Sequence, residues 1–373
     1  WMHGDIKGAF LSDTDTTNLS GGNKVTNGDS WSGAQSSQSS TAPTGWTGGN
    51  GATWKTQTGN GANGTYIRLY NENNGGAGPN SYMYQAITTV VGKKYKISLT
   101  QIHHATISVY FAVGTTAGNN NLLNRTFTSS SSNTPRYLHD TFTATGTTTY
   151  ITLGIISGTH NYGVGWDDVI VTEVDEDRSV NANGLHSYGT ITKSAVATGA
   201  DLVGYGPFDN ASYLRQPYNS DLQWDGNSTW SISFWVYFTQ NQAYDTLISR
   251  EQVGGSGVRW SIQTGNQNTI TFKSQGSSRV DVPGDSVHSK WRHICFTQEG
   301  GLYRSYRDGV EVGTYVGSDN FNNTSAELNI GYETAVGGAE QSKLALVRIS
   351  NTYPSAEQIK KIYEDEKVLF QEN

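Results

Sequence analysis

Hydrophobic and polar positions alternate in short runs along most of this chain, and Gly, Asn, Asp or Pro separate the runs. The strand-like stretches of the first half are TYIRLYN (65–71), SYMYQAITTV (81–90), KYKISLTQI (94–102), ISVYFAVG (107–114), YLHDTFTAT (137–145), TYITLGII (149–156) and WDDVIVTEV (166–174). Each is short and rich in β-branched or aromatic residues. ISVYFAV and YITLGII are nearly continuous apolar runs, as central strands of a sandwich should be, whereas KYKISLTQI alternates, with one face wet. The acidic stretch VDEDRSVNANG (174–184) breaks the pattern and marks a domain junction. Beyond it come GTITKSAVATG, SYLRQPY, WSISFWVYF (230–238), TLISRE (246–251), VRWSIQT (258–264), TITFKSQ (269–275), KWRHICFTQE (290–299), LYRSYRDGVEVGTYVG (302–317), AELNIGY (326–332) and SKLALVRISNTY (342–353). Asp308-Gly309 between two alternating runs predicts a tight hairpin.

A single helix is predicted near the end. Ser355 precedes AEQIKKIYEDEK as its N-cap, Gln358 stands at the capping-box position, and Ile359, Ile362 and Tyr363 give an apolar face. The pattern therefore predicts an all-β chain of two tandem β-sandwich (jelly-roll) domains with one short C-terminal helix closing an edge of the last sandwich. The expected division is a lead-in over 1–22, a first sandwich over 23–175 and a second over 176–373.

Composition narrows the function. Of 373 residues, 44 are Gly, 10 Trp and 21 Tyr, and only 15% are charged, which suits many short strands joined by turns. The net charge of −7, with no Lys/Arg cluster, excludes nucleic acid as a partner. No apolar run approaches membrane-spanning length, so no membrane insertion is expected. The lone Cys295, in the run HICFTQ, excludes an internal disulfide framework and reads as a buried thiol; a surface protein without disulfides suits a bacterial or viral source. The sequence opens at Trp1 without an initiator Met or signal peptide and stops at Gln371-Glu372-Asn373, so it reads as a fragment or processed product of something larger.

Two resemblances add to this. The segment from about Lys24 to Val174 resembles jelly-roll carbohydrate-binding modules with a galactose-binding-like fold, through the entry V-T-N-G-D (25–29), the phrase YQAITTVVGKKYKISL and the closing WDDVIVTEV. Where that family often reads N-G-x-F-E, this chain has Asn27-Gly28-Asp29-Ser30-Trp31. The segment from about Arg178 to Phe370 resembles concanavalin A-like lectin modules of the laminin-G and pentraxin type, through SISFWVYF, KWRHICFTQ, YRDGVEVG, LNIGYE and KLALVRISN. The pairing of the two is similar to the distal part of bacteriophage tail proteins. That resemblance implies a receptor-binding protein in the virion tail, attached to other tail subunits, trimeric, and directed at a bacterial cell-surface glycan. The resemblance to carbohydrate-binding modules implies a structural calcium held by Asp29, Asp167 and Asp168, since an entry loop and the last strand hold one in such modules.

Catalysis finds little support. A glycosidase strand of the form E-x-D-x-x-E has its nearest match at Glu173-Val174-Asp175-Glu176-Asp177, which lacks the final Glu and lies at the junction. No G-x-S-x-G elbow, phosphate loop or dinucleotide fingerprint occurs. His103 and His104 are neighbours on a strand, so they point to opposite faces, and His288 and His293 bracket a turn as packing residues. No enzyme activity is expected.

Aromatic residues are the remaining candidates, because sugar rings stack their C–H faces on Trp and Tyr. Trp46, Trp54, Tyr70, Tyr82 and Tyr84 lie in or beside polar loops of the first sandwich, whereas Trp235, Trp260 and Trp291 fall in alternating strands of the second. The ligand site is therefore expected on the first sandwich. For any one loop Trp, a core plug and a sugar platform fit the sequence equally. The alternatives are binding modules of a secreted polysaccharide-degrading enzyme with its catalytic domain elsewhere, and a structural virion protein.

Overall fold

Each alternating run quoted above contains a strand in the computed structural model, which describes residues 6–14, 16, 19–59, 64–71, 81–102, 106–128, 135–157, 162–175, 178–179, 184–226, 228–240, 245–252, 258–265, 269–284, 289–323, 325–334, 338–339 and 342–371. The chain is nearly all β. Its contacts divide it into two units, residues 23–173 and residues 1–22 together with 174–373. His103, His104 and His288 lie outside the described residues.

The first sandwich packs two five-stranded antiparallel sheets. One runs Thr47–Gly49, Tyr82–Thr88, Thr148–Ser157, Ser108–Gly114, Leu123–Thr128. The other runs Thr53–Thr58, Thr65–Tyr70, Gly163–Asp175, Lys94–Ile102, Pro135–Thr143, the last two residues of Gly163–Asp175 belonging to the other unit. Met83, Ile87, Ile151, Leu153, Val109, Phe111 and Val113 point inward from the first sheet and meet Ile67, Leu69, Ile97, Leu99, Val169 and Val171 from the second. Alternation along each strand sends the residues between them outward.

The second sandwich has one sheet ordered Lys193–Ala195, Val203–Tyr205, Ser342–Ser350, Trp230–Phe238, Trp291–Glu299, Leu302–Arg307, Val310–Val316. Its other sheet is ordered Leu185–Tyr188, Tyr213–Gln216, Ala326–Ile330, Thr246–Gln252, Val258–Thr264, Ile270–Ser274, Ser277–Val282. Asp308 and Gly309 make the expected hairpin turn, both with positive φ (51° and 80°). Trp224, Trp230 and Trp260 stack at centroid distances of 5.2 and 5.8 Å in the core between the sheets.

Two expectations change here. Residues 1–22 are no lead-in: Ile6–Phe10 is a strand antiparallel to Ser342–Ser350, and Phe10, Leu11 and Leu19 are buried in the second core. The Leu11 amide donates to Asp175 Oδ2 at 3.0 Å, and the Leu346 amide donates to the Leu11 carbonyl at 2.9 Å. Five residues, IKGAF, are too few to show an alternation of their own. The second change concerns the helix Ala356–Glu366, which starts at Ser355 with the complete capping box. It lies on the outward side of the central strands Trp230–Phe238 and Trp291–Glu299 instead of closing an edge. Ile359 packs with Cys295 and Tyr306, Tyr363 stacks on Trp235 at 5.8 Å, and Trp235 Nε1 donates to Glu366 Oε2 at 2.7 Å. Trp235 is thus buried, but under the helix and not between the sheets.

Beneath that helix His293 is 1% exposed, between Trp235 (5.4 Å) and Tyr363 (6.4 Å). Burial, with the charge of Arg348 nearby, holds its imidazole down at about 3 against an ordinary value of 6.5. The unfolded chain takes up this proton before the folded one does. The contribution of neutral His293 is therefore complete above pH 6.5 and is lost as pH falls toward 3, by at most about 1.4 kcal/mol per pH unit. The melting temperature of the second sandwich should drop across that window, and His293→Gln should flatten the drop; an equally steep drop in the variant would assign it to other groups.

Candidate functional site

The alternation that fills the first core leaves an aromatic face on the outside of the sheet that starts at Thr47. Tyr82 and Tyr84 point outward from Tyr82–Thr88, Tyr150 from Thr148–Ser157 and Tyr110 from Ser108–Gly114, and all four are half-buried. Tyr84 lies 6.1 Å from both Tyr82 and Tyr150 between ring centroids. Burial, and then the neighbouring Tyr82, pushes the Tyr110 hydroxyl up to about 12, so it remains a protonated donor.

Glycine lets these rings lie down on the sheet. A Cβ at Gly49 would stand 2.2 Å from Tyr82 Cζ, and one at Gly154 would stand 2.3 Å from Tyr110 Cε1. Either side chain would push the ring above it off the strands. Thr152 lies between Tyr84 and Ala112 in the strand register, fully buried, with no hydrogen-bond partner for its hydroxyl. The arrangement is an aromatic floor with phenol hydroxyls around it, able to stack on the C–H faces of sugar rings and to hydrogen-bond their hydroxyls.

Of the five aromatic candidates, the structure brings together only Tyr82 and Tyr84. Trp46, Trp54 and Tyr70 are 4%, 1% and 5% exposed: the two tryptophans belong to the core, and Tyr70, in the outward register with Arg68, is covered. The glycine-rich stretch 44–54 does not hold its tryptophans out in water; it makes room for them. The Trp54 ring occupies the space a side chain at Gly48 would need, with Cη2 2.4 Å from the Cβ position there. Its Nε1 donates to the Thr41 carbonyl. Trp46 packs 5.5 Å from Trp31 and donates to the Asn27 carbonyl at 3.1 Å. Tyr70 lies under the Arg68 guanidinium, 4.8 Å from its ring centroid. Tyr110 and Tyr150 escaped notice because they sit inside nearly continuous apolar runs; their signal is that they fall in the outward register.

The three aspartates are near one another but do not form a closed shell. Asp167 is buried; its Oδ1 accepts from Trp31 Nε1 at 3.1 Å and its Oδ2 has no partner. Burial, then the charge of Asp168 and more weakly that of Asp29, pushes its carboxyl up to about 7, against the hydrogen bonds from Trp31 and the Asp168 backbone. Asp168 adopts φ 50° and accepts from Thr100 Oγ1 at 3.1 Å, while Asp29 is exposed. Among the described residues, no three His, Cys, Asp or Glu side chains converge as a metal-binding group.

The second sandwich carries a carboxylate pair that no single strand motif reveals. Glu251, from Thr246–Gln252, and Glu333, from the turn after Ala326–Ile330, are both buried. Burial raises the Glu333 carboxyl, and Glu251 raises it further, while Gln263 opposes the rise. Both are engaged: Glu251 Oε1 accepts from Asn329 Nδ2 at 2.9 Å, and Glu333 Oε2 accepts from Gln263 Nε2 at 2.7 Å. Cys295 is buried, and burial pushes its thiol up, which keeps it unreactive.

Residues 208–360, within the second sandwich, match the family model described as the concanavalin A-like lectin/glucanases superfamily. No curated protein matches the sequence. Among solved structures, the binding domain of Paraclostridial Mosquitocidal Protein 1 is similar at 16% identity and a TM-score of 0.40, over 51% of this chain and 49% of that one. The botulinum neurotoxin serotype D binding domain is similar at 14% identity and a TM-score of 0.40, over 52% and 49%. Domain 4 of AbnA, a GH43 extracellular arabinanase from Geobacillus stearothermophilus solved with arabinotriose, is similar at 19% identity and a TM-score of 0.33, over 47% and 82%. The match thus spans about half the length of each toxin binding domain.

Trp54→Ala should destabilise the first sandwich by about 3–5 kcal/mol, the usual cost of emptying a large aromatic site. Tyr84→Ala, on the outer face, should cost far less. Calorimetry of the two variants checks this, and a Trp54→Ala protein that melts with the parent would return Trp54 to the list of exposed ligand platforms.

Proposed function

We propose that this chain is a non-catalytic, carbohydrate-binding adhesin whose tyrosine face on the first sandwich engages the glycan. The observation that carries the reading is the flat setting of Tyr82 and Tyr110 on glycines at the outside of a sheet. A ring in that position is available to a ligand without any core residue moving. The concanavalin A-like domain in the second sandwich is the kind of module found in lectins and in glucanases, which suits a protein that handles carbohydrate. We place the chain in the receptor-binding part of a phage tail, attaching to bacterial surface polysaccharide. A trimeric tail would raise weak single-site binding through multivalency.

A hydrolase is the second reading, and the buried Glu251 and Glu333 favour it. Their oxygens are already taken up by Asn329, the Thr334 amide and Gln263, which argues for a structural role. A glycan array read together with a reducing-sugar assay decides between them. Binding should occur without sugar release, and Tyr84→Ala and Tyr150→Ala should each weaken it about two- to tenfold, the loss of roughly one stacking contact of 0.5–1.5 kcal/mol. Sugar release that disappears in Glu251→Gln would establish the hydrolase instead.

The first sandwich is further proposed to take a structural calcium ion at Asp167, whose unpartnered Oδ2 is the buried oxygen a cation would satisfy, with Asp29 and Asp168 as neighbouring carboxylates. Calcium chloride should raise the melting temperature of the first sandwich over its value in EDTA, and Asp167→Asn should remove the difference. Superimposable melting curves with and without calcium would leave Asp167 a metal-free buried carboxylate.

A further inference from the structure

We infer that the ligand of the tyrosine face is an uncharged polysaccharide, bound over more than one sugar residue; this rests on the tyrosine face being the glycan site. The five strands of that sheet present Tyr, Thr, Ser, Asn, Ala and Gly in the outward register, with Ile156 at the bulge that ends one of them. Around the four tyrosines these include Thr47, Ala86, Thr88, Thr148, Asn124 and Thr126, all exposed. Among the described residues of this register there is no Asp, Glu, Lys or Arg. The opposite sheet of the same sandwich is different, since Lys55, Arg68 and Lys96 occupy outward positions there.

An anionic glycan gives up part of its hydration when it lies on a surface, and it needs a countercharge in return. The tyrosine face offers none, and a chain of net charge −7 repels an anion before contact. A neutral sugar needs only C–H faces on rings and hydroxyl partners, and both are present. The Tyr82–Tyr84–Tyr150 path advances 6.1 Å at each step, across two neighbouring strands. Three rings so spaced address successive sugars of a chain, so a monosaccharide would use only part of the face.

The test compares soluble neutral polymers (dextran, mannan, galactomannan) with anionic ones (alginate, pectate, hyaluronate) by affinity electrophoresis and titration calorimetry. Each is measured at 20 mM and 500 mM sodium chloride, in the parent, Tyr84→Ala and Tyr150→Ala, with melting temperature as a fold control. The expected result is binding to at least one neutral polymer, a Kd that changes less than twofold with salt, and a loss of about two- to tenfold in each folded variant. Binding to an anionic polymer that falls with salt and is lost in Tyr84→Ala overturns the neutral class while the tyrosine site stands. Glycan binding that both variants retain overturns the site itself, and with it the inference. Binding to none of the polymers counts against both.

Discussion

Successive side chains of a strand point to opposite faces, so filling the core of the first sandwich also decides what its outside displays. In Tyr82–Thr88 the inward set is Met83, Gln85 and Ile87, which leaves Tyr82, Tyr84, Ala86 and Thr88 outward. The same rule applied to Ile151-Leu153-Ile155 and to Val109-Phe111-Val113 brings Tyr150 and Tyr110 to the same face. A one-residue slip in any of these pairings would bury tyrosines and expose isoleucines. The core therefore holds the register, and the register holds the site. Gln85 shows how strictly: inward and buried, it satisfies itself against the entry loop, accepting from the Thr26 amide at 2.6 Å and donating to the Thr26 carbonyl at 2.9 Å.

Strands, hairpin and helix could be read from the sequence because their signals are local. KYKISLTQI, WSISFWVYF and VRWSIQT correspond to strands residue for residue, and Ser355 with Gln358 places the helix start. What could not be read depends on pairing between distant residues. Ile6–Phe10 becomes a strand because Ser342–Ser350 offers it an edge, and Glu251 meets Glu333 because two separate segments converge. The site was half legible. Tyr82 and Tyr84 declare themselves in the alternation YMYQ, while Tyr110 and Tyr150 are masked by apolar neighbours on the inward face. The tryptophans misled for a physical reason: glycine-rich backbone lacks bulk of its own, yet that absence is what lets an indole ring close against it.

The two sandwiches use their outer surfaces differently. The first leaves a sheet face bare, lined with rings and hydroxyls. The second covers the outward side of Trp235, His293 and Cys295 with the helix Ala356–Glu366, and ties it down through Trp235 and Arg348 to Glu366, at 2.7 Å each. Cys295 and His293 are thereby kept from solvent in a part of the molecule whose polar atoms would otherwise be open to it.

Because Ile6–Phe10 pairs with Ser342–Ser350, the second sandwich begins before the first in the chain and ends after it. On the ribosome this separates the two in time. Residues 23–173 emerge as a complete unit and can fold while synthesis continues. The strand Ile6–Phe10 must wait, its hydrogen bonds to Ser342–Ser350 unmade and Phe10 unburied, until residue 350 has left the exit tunnel. A translation product that stops short of residue 342 would carry a finished first sandwich beside an open second one, and that open edge is where such a product would aggregate or be cut.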